Sequence, residues 1–467
     1  MDYPFINDIV EQLLSNSFSV FCGAGATADS KCSKWEDLFS TMTMQFYENK
    51  ISDDIYLLSD LEKNYYNSNN YFEDIEKKLR EKENSAENFY LTHNAKENHI
   101  FNILKLNLNQ IWTTNFDEII EKTILKVYGI NPVVFSSSTD FLTKKLNAEY
   151  VIYKLNGTVS KRDSMVLTKT DFYNYFKRQR LFFEFLKRQL VLDSFLFIGY
   201  SFKDELVLSA LREIKEVFAH NGKTHYRFLK ISTEHTKKRS LIEKYSKYEN
   251  QYFKDKYNIE TILIDDFNNI DTYLNEVYRR FANHNVFISG SFRNITNELR
   301  IYIEKLVDSI IKKLYYNDFN IYSGNGRGLG EMVVARANLH AHRPNNKFVN
   351  RPLIFTGDTP NDKQKKNDKI IKDCNTMIII CGQDESLESS VNVENQYEKF
   401  INQPDKLVIP IPTTEYAAKK IFSRKDFTES IYYKFEPELY NKISKTHNIE
   451  ELSNYVVNLV LKYRKEP

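Results

Sequence analysis

The chain has 467 residues, 42% of them hydrophobic, which is too long for one ordinary core and rich enough for two. Lys and Arg number 65 against 63 Asp and Glu, a formal net charge of +2, which argues against an extended nucleic-acid surface. No stretch approaches the ~20 apolar residues of a membrane span, Met1–Glu11 lacks a signal-peptide apolar run, and four cysteines without a Cys-x-x-Cys pair fit a reducing cytoplasm and no zinc ribbon.

Asp8 to Leu14 reads as a helix, and Phe18 to Cys22 as a strand entering the turn Gly23-Ala24-Gly25. Glycine removes the side chain and admits unusual backbone angles, so this backbone can approach a pyrophosphate closely. A helix is expected from about Trp35. From there to Leu106 the chain is polar, glycine-free and dotted with aromatics. Phe39, Met42, Met44, Phe46 and Tyr47, then Ile55, Tyr56, Leu58 and Leu61, predict helices with one buried face, a helical insertion over a sheet. Gln110–Thr114 and Glu149–Leu155 read as strands, Leu181–Leu192 as an amphipathic helix, and Ser194–Ile198 as a strand ending at Gly199-Tyr200-Ser201. Arg227–Ile231 and Thr261–Ile264 are further strands, and Ile270–Ala282 is a connecting helix.

A second unit starts near Asn285. Asn285–Ser289 is an apolar strand turning at Gly290-Ser291, followed by a long helix from about Thr296 to Leu314. Phe319–Tyr322 is a strand running into a loop, Ser323 to Gly330, that alternates glycine with other residues. Leu353–Phe355, Thr376–Cys381 and Leu407–Ile411 complete the strands. Strands alternating with helices, with polar residues at strand C-terminal ends, predict an α/β protein of two Rossmann-like, doubly wound domains, residues 1–282 and 284–467.

Four segments of the first domain follow one another in a telling order. They are Gly23-Ala24-Gly25 with Thr27; Trp112-Thr113-Thr114-Asn115-Phe116-Asp117; Lys154-Leu155-Asn156-Gly157; and Gly199-Tyr200-Ser201. Together they resemble the sirtuin-like family of NAD-cleaving domains. The resemblance implies an NAD site of Gly23, Ala24, Gly25, Thr27, Asp29, Asp117, Gly199 and Ser201, with no metal. Cleaving the nicotinamide–ribose bond creates a cationic centre, at which a neutral amide such as Asn115 positions a water or a ribose hydroxyl. Asp117 would hold that amide or a nearby loop. In the family a histidine stands third in the Lys-Leu-His-Gly version of this segment as general base; here the position is Asn156. Asparagine takes no proton near neutral pH, and loss of a general base removes a factor of ~10² to 10⁴ in rate. The chain as written is therefore expected to be a poor or inactive enzyme. Either the lineage diverged here or the histidine was replaced; replacement is preferred, because it silences chemistry while sparing binding.

In the second domain, Phe287-Ile288-Ser289-Gly290-Ser291, the loop from Ser323 to Gly330, and Ile378 to Gly382 with Glu394 resemble the SLOG and lysine-decarboxylase-like nucleotide-binding domains. The resemblance implies a cyclic-nucleotide site of Ser289, Gly290, Ser291, Gly324, Gly326, Arg327, Gly328, Lys366, Lys369, Gly382 and Glu394. The related phosphoribohydrolases carry a Pro-Gly-Gly-x-Gly-Thr loop where this chain has Cys381-Gly382-Gln383-Asp384-Glu385, which favours sensing over catalysis.

A sirtuin-like domain followed by a SLOG domain resembles the NAD-hydrolysing effector family of the Thoeris anti-phage system. That resemblance implies a bacterial, cytoplasmic homo-oligomer, a tetramer or filament, activated by a cyclic ADP-ribose isomer made by a TIR-domain partner enzyme. It implies depletion of cellular NAD, with neither nucleic acid nor membrane as a partner. Two alternatives stay open: a catalytically silent nucleotide receptor, and an NAD-dependent protein deacylase, whose usual zinc ribbon four scattered cysteines do not supply.

Overall fold

The computed structural model describes residues 4–30, 38–52, 54–65, 68–92, 99–106, 108, 110–144, 148, 150–202, 205–218, 222–230, 239–324, 327–340, 348–350, 360–383, 390–401, 403 and 406–465. The chain divides into two compact units, residues 1–12 with 17–277 and residues 13–16 with 278–467. No helix among the described residues is long and apolar enough to cross a membrane.

The first unit is built on a seven-stranded sheet. Its strands are β1 (Phe18–Cys22), β2 (Gln110–Thr113), β3 (Val133–Phe135), β4 (Val151–Lys154), β5 (Ser194–Ile198), β6 (His225–Lys230) and β7 (Ile259–Ile264). Every pairing is parallel, in the order β3-β4-β2-β1-β5-β6-β7. β1, β4 and β5 are buried at every residue, as strands covered on both faces must be. Phe21, Trp112, Phe135, Tyr153, Phe195 and Phe197 share one core with the helix Arg180–Leu192, which contributes Phe182, Leu186 and Leu190. Trp112 stacks on Tyr153 at 4.3 Å, so this tryptophan is a core residue.

The insertion between β1 and β2 is helical: Thr41–Glu48, Ile55–Tyr65, Ser68–Thr92 and His99–Lys105. Ser40 caps the first of these by accepting from Thr43 N at 3.1 Å. The expected helix start at Trp35 lies outside the described residues. Tyr71, Ile75 and Leu79 recur on one face of Ser68–Thr92 and pack on Phe116, Val159, Met165 and Leu167. The short strand β3 escaped the sequence reading because three residues carry too little periodicity to be seen.

The second unit holds a five-stranded parallel sheet in the order β10-β9-β8-β11-β12. The strands are β8 (Asn285–Ser289), β9 (Asn320–Ser323), β10 (Phe348–Asn350), β11 (Thr376–Ile380) and β12 (Leu407–Ile411). The expected strand Leu353–Phe355 lies outside the described residues, and β10 takes the edge next to β9. The helix Asn297–Tyr316, capped by Thr296, buries Ile303, Leu306, Val307, Ile310, Ile311 and Leu314 against the sheet.

Lys406, 5% exposed, enters this core just before β12. Its ammonium donates to the carbonyls of Ile371 and Lys372 at 3.0 Å and to that of Cys374, closing the C-terminus of the helix Pro360–Asp373. The helix dipole favours a cation there. Lys406→Met leaves these carbonyls without their donor and is expected to cost about 1–3 kcal/mol. Urea denaturation checks this; an unchanged midpoint and slope would contradict the capping role.

Candidate functional site

In the first sheet the chain order reverses at β1: β2 and β4 lie on one side, β5 to β7 on the other. Ligands of open α/β sheets bind outside the carboxyl ends of the strands, at such a reversal. The four neighbours β4, β2, β1 and β5 are parallel, so their carboxyl ends fall along one edge. Those ends lead to Asn156, Asn115, Gly23 and Gly199 respectively. Main-chain bonds hold them in line: Leu155 N donates to Thr113 O at 2.9 Å, Thr114 N to Cys22 O at 3.4 Å, and Gly23 N to Ile198 O at 2.9 Å.

The glycine turn does two things. Gly25 N donates to Gly199 O and Ala26 N to Gly23 O, at 2.9 and 3.0 Å, so both amides are used within the protein. A Cβ on Gly23 would overlap Gly199 O and lie 2.6 Å from the Cα of Tyr200; one on Gly199, whose φ is +64°, would overlap Ala26 N. The expected close approach is thus made first to the β5 turn. Gly25 is exposed and Ala24 half-buried, and the chain continues at once as a 3-10 helix, Ala24–Ser30. Ser201 is exposed beside Gly199. Asp29's side chain lies outside the described residues.

Asn115 is 6% exposed. Its Nδ2 donates to Gly23 O at 3.2 Å and to Thr27 Oγ1 at 3.4 Å, and its own N–H to Thr113 Oγ1 at 3.0 Å. Its amide is therefore held by the glycine turn and Thr27. Asp117 instead accepts from Ile119 N at 3.3 Å, at the start of the helix Ile119–Tyr128. This bond is local, two residues along the chain, and does not reach the Asn115 amide. Asn156 is 5% exposed, and its main-chain carbonyl accepts from Val166 N at 2.9 Å. The αL turn at Gly157, φ +89°, presses on the main chain of Ser164 and Met165, which leaves no room for a side chain.

Three charged residues that sequence reasoning did not assign surround this loop. Lys154, wholly buried, donates to Phe116 O at 3.3 Å, to Asp117 O, and to Glu121 Oε1 at 2.8 Å. Glu83, from the insertion, accepts from Glu118 N at 2.9 Å and pairs with Arg80 and Lys122. Lysine ending an apolar strand was the one sequence signal; Glu83 sits in a polar helix and carries none.

In the second sheet the order reverses at β8, with β9 and β10 on one side and β11 and β12 on the other. The turns after β8 and β11 meet: Gly382 N and Gln383 N donate to Ser291 O at 3.1 and 2.7 Å, and Ser291 Oγ donates to Gln383 O at 2.9 Å. Gln383, 2% exposed, accepts from the amides of Arg293 and Asn294, a role its sequence position did not announce. Ser289 Oγ donates to Gln396 Oε1 at 2.5 Å, and Glu394 Oε1 accepts from Lys420 at 2.8 Å. Gly290 lies against the Ile380 carbonyl, and Gly328, φ +73°, against the ring of Phe292. Gly382, φ +89°, faces Ala417. Gly324 is buried, Arg327 exposed and Lys369 half-buried; Gly326 and the Lys366 side chain lie outside the described residues.

Burial lifts the Asp117 carboxyl from 3.8 to about 6, with Lys154 opposing and Glu121 and Glu83 reinforcing the rise. A carboxyl with a raised folded-state pKa holds its proton more tightly when native, so its contribution to stability is greatest below about pH 4 and falls as pH rises through about 6. Asp117→Asn removes this titration. Its stability relative to the parent should grow between pH 4 and 7.5, by at most about 3 kcal/mol. Urea midpoints at both pH values measure this; a difference independent of pH would refute the assignment.

Comparison with known proteins places the two sheets in known domain families. Residues 109–262 match the SIR2-like domain family and residues 269–466 the Sir2- and TIR-associating SLOG family. Over 96% of both chains the protein is 25% identical to the NAD(+) hydrolase ThsA of Enterococcus faecium. It is 24% identical to the NAD(+) hydrolase ThsA of Bacillus cereus (strain MSX-D12), over 98% of this chain and 97% of that one. The match to the protein of the same name from Cytobacillus dafuensis is 25%, over 98% and 96%. The chain thus joins a SIR2-like domain to a Sir2- and TIR-associating SLOG domain.

Proposed function

We propose that the first domain binds NAD at the carboxyl edge of its sheet and belongs to an NAD-hydrolysing effector of anti-phage defence. The observation that carries this reading is the alignment of Asn156, Asn115, Gly23 and Gly199 at four adjacent parallel strand ends, in a chain similar nearly end to end to proteins named NAD(+) hydrolase. In this reading Ala24, Gly25, Thr27, Asp29, Gly199 and Ser201 line the NAD site. Asn115, fixed through Nδ2, presents its carbonyl oxygen to a water or a ribose hydroxyl. Asp117 supports the loop behind it.

Position 156 is where proton abstraction would occur, and asparagine does not provide it. The literal chain then binds NAD and turns it over slowly or not at all. Asn156→His is expected to raise nicotinamide release by at least ~10²-fold. An Asn156→His protein that binds NAD, has its activator present and still releases none would exclude the hydrolase reading. Asn156 also favours the second reading, a silent nucleotide receptor, which predicts that same outcome.

The second domain, in this proposal, is the sensor. A cyclic ADP-ribose isomer from a TIR-domain partner binds at the β8/β11 reversal, through Ser289, Gly290, Ser291, Gly324, Gly326, Arg327, Gly328, Lys366, Lys369, Gly382 and Glu394. It biases a homo-oligomer, tetramer or filament, toward the active state by binding that state more tightly. Calorimetric titration of the full chain with cyclic ADP-ribose isomers tests the sensor: saturable binding of one isomer, abolished by Glu394→Ala, is expected. Absence of binding by every isomer would remove the sensor and leave the first domain's reading standing.

A further inference from the structure

We propose that Lys154 is a positioning residue for the reaction, tying the Asn115 loop to the end of the strand that leads to position 156. The proposal rests on the NAD-site reading above and concerns a residue outside the proposed contacts with NAD.

Burying an ammonium is costly unless each of its donors is matched. Lys154 is the last residue of β4, wholly buried, two positions before Asn156. Two of its three acceptors are main-chain carbonyls of the loop just after Asn115, those of Phe116 and Asp117; the third is the Glu121 carboxylate. An ammonium has three donors on one atom and no acceptor, which suits three converging oxygens. The contacts orient the peptide groups that follow Asn115, while Thr113 and Gly23 hold Asn115 from the other side. One side chain therefore couples the two strand ends whose relative placement the chemistry needs.

The groups facing Asp117 in this cluster are Lys154 from β4, Glu121 from the helix Ile119–Tyr128, Glu83 from the insertion and Cys22 from β1. Among them Lys154 is the cation that restrains the rise of the Asp117 pKa. Removing it should carry that carboxyl further up, and with it any activity limb that Asp117 sets.

K154M alone strands the Glu121 carboxylate, so the informative variant is K154M/E121L, in which the buried ammonium and its half-buried partner both become apolar. By hydrogen exchange the folded double variant should lose protection at Thr114, Asn115 and Glu118 while β1 and β5 keep theirs. In the N156H background it should lower kcat by about 10- to 100-fold and leave KM for NAD within about threefold. K154R keeps the charge but replaces the compact donor by a planar fork, and should also lower kcat, without moving the pH profile. Unchanged exchange at Thr114, Asn115 and Glu118, or an unchanged kcat in both variants, overturns the assignment. If N156H alone releases no nicotinamide, the hydrolase reading falls, and the exchange result by itself decides whether Lys154 holds the loop.

Discussion

Two glycine turns, Gly23-Ala24-Gly25 after β1 and Gly199 after β5, lie backbone against backbone where the strand order of the first sheet reverses. The contact is closed by Gly25 N on Gly199 O. A Cβ at Gly23 or Gly199 would collide with main chain, which cannot step aside as a flexible side chain can. The Asn115 amide is then anchored on Gly23 O, and the β4 end is registered against β2 through Leu155 and Thr113. The glycines thus serve the geometry of the site before they serve any ligand.

Around that contact the protein places two buried charges, Lys154 and Glu83. The buried Lys154 pairs with the half-buried Glu121, and Glu83 reaches in from the insertion to the start of the helix Ile119–Tyr128. Such pairs gain little net stability over apolar packing. Their contribution here is directional, because Lys154 and Glu83 each end on main-chain groups of the loop from Asn115 to Glu118 and Glu121 holds the Lys154 ammonium. The insertion helix Ser68–Thr92 adds apolar contact to Phe116 in the same loop, so polar and apolar forces converge on one short segment.

The second domain repeats the topological principle with different chemistry. Its reversal at β8 is bridged by Ser291 and Gln383, which satisfy the turn amides internally. Ser289 and Glu394 likewise have protein partners, Gln396 and Lys420. In the sensor reading proposed above, a nucleotide entering here would exchange those bonds for its own, and the resting pairs would then enter the energetics of its binding.

Strand cores, the helical insertion and the order of the motif segments were legible in the chain, because buried runs such as Phe18–Cys22 and the facing apolar residues of helices repeat with fixed periods. So was the departure at Asn156, a matter of residue chemistry alone. Short elements such as β3 were not legible. The partners of Lys154 lie 33 to 38 residues away in sequence, and Glu83 is 35 residues from the amide it holds. Periodicity reports which face of an element is buried. Which polar group meets a buried charge, and which turn a glycine lies against, depends on strand order and register, and these exist only once the sheet is assembled.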